Sequence, residues 1–228
     1  MQIITNDWLG NLLVKIGAAT ELKESPKEEP KPNQGSTSKP IPVLNTKIYE
    51  DAKPIYTELW ARCEIKPEKL SAVQYECNLI LKNKEQYEKV SAVTGVPWDV
   101  IGCIHMLECG GRFDGHLHNG NSLKARTVDV PAGRPIKGEP PFTWFESAVD
   151  ALGYDGLTTQ KDWSIERTLH MLTAYNGFGY VSKGINSPYL WSFSNCYSRG
   201  KFVSDGLYNS SVVSDQVGAA CILKLLRS

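Results

Sequence analysis

The stretch "VPWDVIGCIHMLECGGRFDGHLHNGN", Val96 to Asn121, decides how the rest of the chain is read. Val100, Ile101, Ile104 and Leu107 recur at helical spacing and predict one buried face. Pro97 suits the first turn of that helix, and Gly110-Gly111 stops it. Glu108 then falls on the last turn of an apolar helix, at the negative end of the helix dipole, where a carboxylate is disfavoured as an anion. A carboxyl there, partly withdrawn from water, is expected to hold its proton towards neutral pH and to serve as a proton donor. Taken alone, a Glu near a helix C-terminus is more often structural or simply solvated, so the donor role needs a partner elsewhere in the chain.

The composition narrows the classes of function. The chain has 228 residues, with 25 basic and 25 acidic side chains and a formal net charge of zero, which gives no support to a nucleic-acid partner. Its hydrophobic fraction of 41% and six Trp are those of a packed core. No apolar run approaches the roughly 20 residues needed to span a bilayer, so no membrane span is expected. The opening "MQIITNDWLGNLLVKIGAATELKE" lacks a basic start, carries Asp7 in its apolar run and offers no small-residue cleavage site, so no signal peptide is expected. The six cysteines (63, 77, 103, 109, 196 and 221) form no CxxC pair, and several lie on apolar helical faces. They read as buried free thiols of a protein made in a reducing compartment, with a disulfide or two open to it after export.

Three regions are expected. Residues 1–17 place Trp8, Leu9, Leu12, Leu13 and Ile16 near helical spacing, a short amphipathic segment suited to tethering a partner. Residues 18–46 are rich in Lys, Glu and Pro, the composition of a disordered, extended linker. A globular domain fills residues 47–228. Its first part predicts helices over "IYEDAKPIYTELWARC" and "PEKLSAVQYECNLILKNKEQYEKVSAVTG", followed by the Glu108 helix. Gly110 to about Pro141 changes to Gly, His, Asn and Pro with short β-like pieces such as "ARTVDVP", a loop or hairpin insertion. Helices resume with "TWFESAVDALGYDG", where Thr143 and Glu146 predict a capping box, and with "SIERTLHMLTAYNGFGY", starting at Ser164 and ending at Gly177. A last helix is predicted over "SSVVSDQVGAACILKLL". The fold class is α+β, mostly helical.

Glu108 before a Gly-rich turn, together with "AYNGFGY" ending a later helix, resembles the lysozyme superfamily, in particular the goose-type lysozymes and soluble lytic transglycosylases. The runs "HLHNGNSLKARTVDVPAGRP", "PPFTWFESAVDAL" and "SPYLWSFSN" look like a bacterial and phage group of peptidoglycan-degrading enzymes. The resemblance covers roughly residues 60–228 and implies a lysozyme-like domain. It also implies cleavage of the β-1,4 bond between N-acetylmuramic acid and N-acetylglucosamine in peptidoglycan glycan strands, with no cofactor. Glu108 would protonate the leaving oxygen, Tyr175 would orient the Glu108 carboxyl by a hydrogen bond, and Asn176 would offer its amide to the sugar or to the cleft. The related group reads "HNGD" where this chain reads "HNGN", and Asn121 cannot act as a base. Thr127, holding a water, and Asp129, the nearest remaining carboxylate, are the candidates for that task.

If either serves, the outcome is hydrolysis; if neither does, attack by the muramic acid 6-hydroxyl gives 1,6-anhydro ends, as in a lytic transglycosylase. Plainer readings stand beside these. Tyr175-Asn176 can be an ordinary helix end, "RTVDV" a strand with one polar face, and the chain an inactive peptidoglycan-binding or virion structural protein. His105, Glu108, Cys109, His116 and His118 invite a zinc reading, but their spacing matches no usual motif and His118 suits a sugar contact equally. A wall-cutting enzyme without a signal peptide suggests a phage product made in the host cytoplasm. It would act on the periplasmic wall as an endolysin or be carried in the virion, where residues 1–17 would meet a phage structural protein.

Overall fold

The computed structural model describes residues 39–204 and 206–228. The predicted segment 1–17 and residues 18–38 of the predicted linker lie outside those residues. The packed unit runs from Pro40 to Ser228, so it starts seven residues earlier than the sequence suggests. The reason lies in "PIPVL": Leu44 is buried, its N–H donates to Asn186 Oδ1 at 3.0 Å, and Asn186 Nδ2 donates back to the Pro42 carbonyl at 2.9 Å.

Helix α1 (Tyr49–Arg62) buries Ala52, Tyr56 and Leu59, which share one face at four- and three-residue steps. It lies along α6 (Ile165–Asn176), and the Tyr56 hydroxyl donates to Thr173 Oγ1 at 2.8 Å across that contact. The long stretch predicted as helical after it breaks into α2 (Leu70–Lys82) and α3 (Lys84–Thr94). At the break the Asn83 side chain donates to the Leu79 carbonyl at 2.9 Å, occupying one of the acceptors left open where α2 ends.

Helix α4 (Trp98–Cys109) is the central element. Sequence periodicity predicts one buried face, yet every residue from Asp99 to Leu107 is buried. Its polar members are each matched: Asp99 takes the Arg227 guanidinium at 2.6 Å, and His105 sits between the Tyr87 hydroxyl and the Arg112 carbonyl, each at 2.9 Å. A helix apolar all round belongs in the middle of a core. Gly102 lets α2 approach it, because a Cβ there would lie 2.7 Å from Ile80 Cγ2.

Helix α5 (Trp144–Tyr154) opens with the predicted capping box, Thr143 and Glu146 exchanging side-chain and backbone bonds. The expected α6 also runs from its Ser164 cap to Gly177. The 110–141 region holds a bridge between Gly115 and Ser122 but no strand at "ARTVDVP". The two strands described lie later, β1 (Lys201–Ser204) and β2 (Leu207–Asn209), as an antiparallel hairpin. Between them and α6 comes the short helix α7 (Pro188–Trp191).

The last helix, α8 (Ala219–Leu226), is half the length predicted. Gly218 passes so close to Leu190 that a Cβ would meet its carbonyl oxygen at 2.4 Å. The residues before it follow that crossing rather than the helix. The described residues are mostly helical with two short strands, consistent with the α+β class.

Candidate active site

Glu108 ends α4 under strong constraint. Gly110 and Gly111 both take positive φ, 58° and 72°, which turns the chain back over the helix end. The returning loop brings Gly120, at φ 77°, against it; a Cβ at Gly120 would stand 3.1 Å from the Glu108 carbonyl oxygen. Cys109 Sγ donates to the His116 carbonyl at 3.1 Å, and Gln216 Nε2 donates to the Leu107 carbonyl at 2.6 Å. The backbone under Glu108 is thus fixed from both sides.

The Glu108 side chain is largely buried, and desolvation pushes its pKa up to about 7, helped by the negative charge of Asp155. One contact works the other way: the Tyr189 hydroxyl donates to Glu108 Oε1 at 3.0 Å. A donor on Oε1 leaves Oε2 as the oxygen that carries the proton. The helix-end expectation for Glu108 therefore meets a carboxyl that stays protonated near neutrality, with desolvation as the main cause.

The hydrogen bond expected from Tyr175 comes from Tyr189 instead. Tyr175 donates its hydroxyl to the Leu117 carbonyl at 3.1 Å and pins the 116–121 loop. It still belongs to the same cluster: burial, and after it the Glu108 charge, hold its phenol well above the ordinary value. Asn176 lies next to Tyr189 in the wall of a cleft of about 530 Å³, formed by the end of α6, α7, β1, Ser214 and Gln216. Its amide reaches Ser187 Oγ at 3.5 Å, a long contact.

The loop residues differ more from expectation. Thr127 is buried, donates its hydroxyl to the Pro131 carbonyl and accepts from the Arg134 N–H at 2.9 Å. That hydroxyl closes the 127–134 turn and has no hydrogen left for a water. Asn121 clamps the same turn: its carbonyl oxygen accepts from the N–H groups of Val128 and Asp129 at 2.9 and 3.1 Å. Its amide donates to Asp129 Oδ2 at 2.8 Å. Asp129 is exposed and held by Asn121 rather than by Glu108.

His118 is buried, with Nε2 2.9 Å from Asp150 Oδ2, and the Arg134 guanidinium grips both oxygens of Asp150 at 2.8 and 2.9 Å. This fixes the loop on α5 and places His118 inside rather than on a sugar-facing surface. His116 is spent similarly, on Ser147 Oγ at 2.8 Å and the Ala125 carbonyl at 2.7 Å. Among the described residues no three His, Cys, Asp or Glu side chains gather in a metal-binding arrangement.

Of two further residues of the site, the sequence offers Tyr189, with Trp144, only as an aromatic that could stack on a sugar in the groove, and it does not single out Asp155. Tyr189 stands 81 positions from Glu108, and only "SPYLW" beside "AYNGFGY" pointed to its neighbourhood. Asp155 follows α5 in "GYDG". Desolvation pushes its carboxyl up to about 6 against the opposing pull of Arg134, and its charge acts on both Glu108 and Tyr175. After desolvation, its charge raises the Glu108 pKa.

No family model matches this chain, and neither the curated proteins nor the solved structures supply a match.

Proposed function

We propose that the protein is a peptidoglycan glycosidase, cutting the β-1,4 bond between N-acetylmuramic acid and N-acetylglucosamine with Glu108 as general acid. The observation that carries this reading is a carboxyl fixed at a buried helix end, with its pKa raised to about 7 and one oxygen held by Tyr189, a residue that itself lines an open cleft. Glu108 Oε2–H protonates the glycosidic oxygen as the C1–O bond breaks, and Asn176 and Tyr189 line the cleft in which a glycan strand lies. Asp155 is the carboxylate whose charge acts on Glu108, which makes it the candidate for the water-activating task expected of Thr127 or Asp129.

A second reading has its own support. The Thr127 hydroxyl hydrogen and one Asn121 amide hydrogen are both committed to the loop, which weakens the case for a water held there. Attack by the muramic acid 6-hydroxyl then replaces attack by water, and the enzyme is a lytic transglycosylase. Mass spectrometry of muropeptides released from purified peptidoglycan separates the two: reducing muramic acid ends support hydrolysis, and a deficit of one water supports transglycosylation. Release of neither product leaves the inactive wall-binding or virion structural reading. The wall substrate is consistent with a phage lysin, free in the lysate or carried in the particle, and immunoblotting of purified particles distinguishes those two.

A further inference from the structure

Three of the six buried thiols meet where the end of α1 runs beside the turn that follows α7. Ile65 and Ser194 form an antiparallel bridge, flanked by the bonds Lys66 N–H to Phe193 O at 2.9 Å and Asn195 N–H to Glu64 O at 3.0 Å. Those bonds make Ile65 and Ser194 a non-hydrogen-bonded pair. The ladder stops there, because the Glu64 N–H turns to the Asn195 side chain. Two residues on, Cys63 and Cys196 are both buried, and their thiols lie in hydrogen-bonding contact across the same junction.

Other contacts hold the two cysteines in this position. The Asn195 side chain donates to the Arg62 carbonyl and accepts from the Glu64 N–H, each at 3.0 Å, so both neighbours of Cys63 are clipped by the residue next to Cys196. Cys196 itself leans on the Leu59 carbonyl at 3.7 Å. Cys63 also lies in hydrogen-bonding contact with Cys221, the third thiol, which comes from α8.

We propose that Cys63 and Cys196 are a built oxidation site: free thiols when the chain is made in a reducing compartment, and a disulfide once it meets a low-molecular-weight disulfide oxidant. The Cys63 thiolate attacks one sulfur of the oxidant and releases one small thiolate, leaving a mixed disulfide. Cys196, losing its proton, then attacks the Cys63 sulfur and expels the second small thiolate, so two protons and two electrons leave the protein. Cys63 is the nucleophile of the pair, because the S–H groups of Cys196 and Cys221 and the positive charge of Lys224 all favour its thiolate. The bond ties α1 to the turn behind α7, the helix that carries Tyr189. It is independent of the reaction assigned to Glu108.

The test uses the full wild-type chain, equilibrated with oxidised glutathione or with dithiothreitol, blocked with N-ethylmaleimide and digested without reduction. The oxidised sample is expected to lose the mass of two hydrogens and to yield one cross-linked peptide joining Cys63 to Cys196. Its thermal midpoint is expected to rise by about 5–10 °C. Cys221→Ala should keep the link and Cys196→Ala should lose it. A cross-link from Cys63 to Cys221, all six thiols still alkylated after oxidation, or a lowered midpoint in the linked form would each overturn the proposal.

Discussion

Removing one oxygen atom, by Tyr189→Phe, isolates the contact that sets Glu108's proton affinity. The buried ring stays, and the only hydrogen bond lost is the 3.0 Å donation from the Tyr189 hydroxyl to Glu108 Oε1. That donation favours the carboxylate and opposes the desolvation that raises Glu108 to about 7. A hydrogen bond to a charged group contributes about 1.5–3 kcal/mol, and one to a neutral group about 0.5–1.5 kcal/mol. The difference, roughly 1–1.5 kcal/mol, corresponds to about one pKa unit, so Glu108 in the variant should titrate near about 8. Carbon-13 NMR of the side-chain carboxyls, with Glu108→Gln to assign the resonance, reads this without any substrate. The alkaline limb of any lytic activity should move up by the same amount, since the acid stays protonated to higher pH. A Glu108 titration that is unchanged or lower in Tyr189→Phe would refute the assignment of Tyr189 as the group that stabilises the anion.

Stability should fall as pH rises through neutrality. Glu108 and Glu76 are both raised from 4.5 to about 7 by desolvation. A carboxyl raised in the folded state binds its proton more tightly than the unfolded chain does. Its contribution is therefore complete below about pH 4.5 and lost as pH rises through about 7, up to about 3 kcal/mol for Glu108. His105, its pKa lowered to about 4 by burial, adds stability with rising pH over part of the same range, so the comparison is between proteins. From pH 5 to pH 8, urea unfolding should show Glu108→Gln losing less stability than the wild type, and an equal pH dependence in the two would contradict the withdrawal of Glu108 from water. Asn121→Asp should not rescue or raise activity, because it replaces the amide that donates to Asp129 with a second carboxylate 2.8 Å away. It should loosen the loop by about 1 kcal/mol, and a gain in lysis would show that position 121 faces substrate. Gly120→Ala should cost of order 1–3 kcal/mol, since residue 120 sits at φ 77° against the Glu108 carbonyl; unchanged thermal stability would count against that packing.

The parts of this site that are local in sequence were legible, and those made by chain crossings were not. Gly110-Gly111 stopping α4 and Thr143 with Glu146 capping α5 are signals spanning a few residues, and both stand in the structure. Glu108's proton affinity was also legible, because an apolar helix implies burial wherever its end lies. Tyr189 could not be chosen over Tyr175 from sequence: Tyr175 lies at the end of α6 and Tyr189 at the start of α7, and only the packing of α7 against α6 decides which hydroxyl meets Glu108. Thr127 was misleading for a related reason. Its hydroxyl is exposed or occupied according to how the turn to Arg134 closes, and residue type does not encode that closure. The shortened α8 follows the same pattern, with an apolar helical run cut off at Gly218 by the Leu190 backbone.

The central claim is that Glu108 gives the proton that breaks a glycosidic bond. Glu108→Gln keeps the side chain's shape and its acceptor for Tyr189, and removes only that proton. Release of soluble muropeptides from purified peptidoglycan, quantified by mass spectrometry near pH 6, compares the two proteins directly, with thermal unfolding confirming that both are folded. The wild type is expected to release disaccharide-peptides, and the variant to fall by about 10²–10⁴-fold, the range for losing a general acid. A folded Glu108→Gln variant that keeps more than about a tenth of the release rate, where that hundredfold loss is required, would contradict the account.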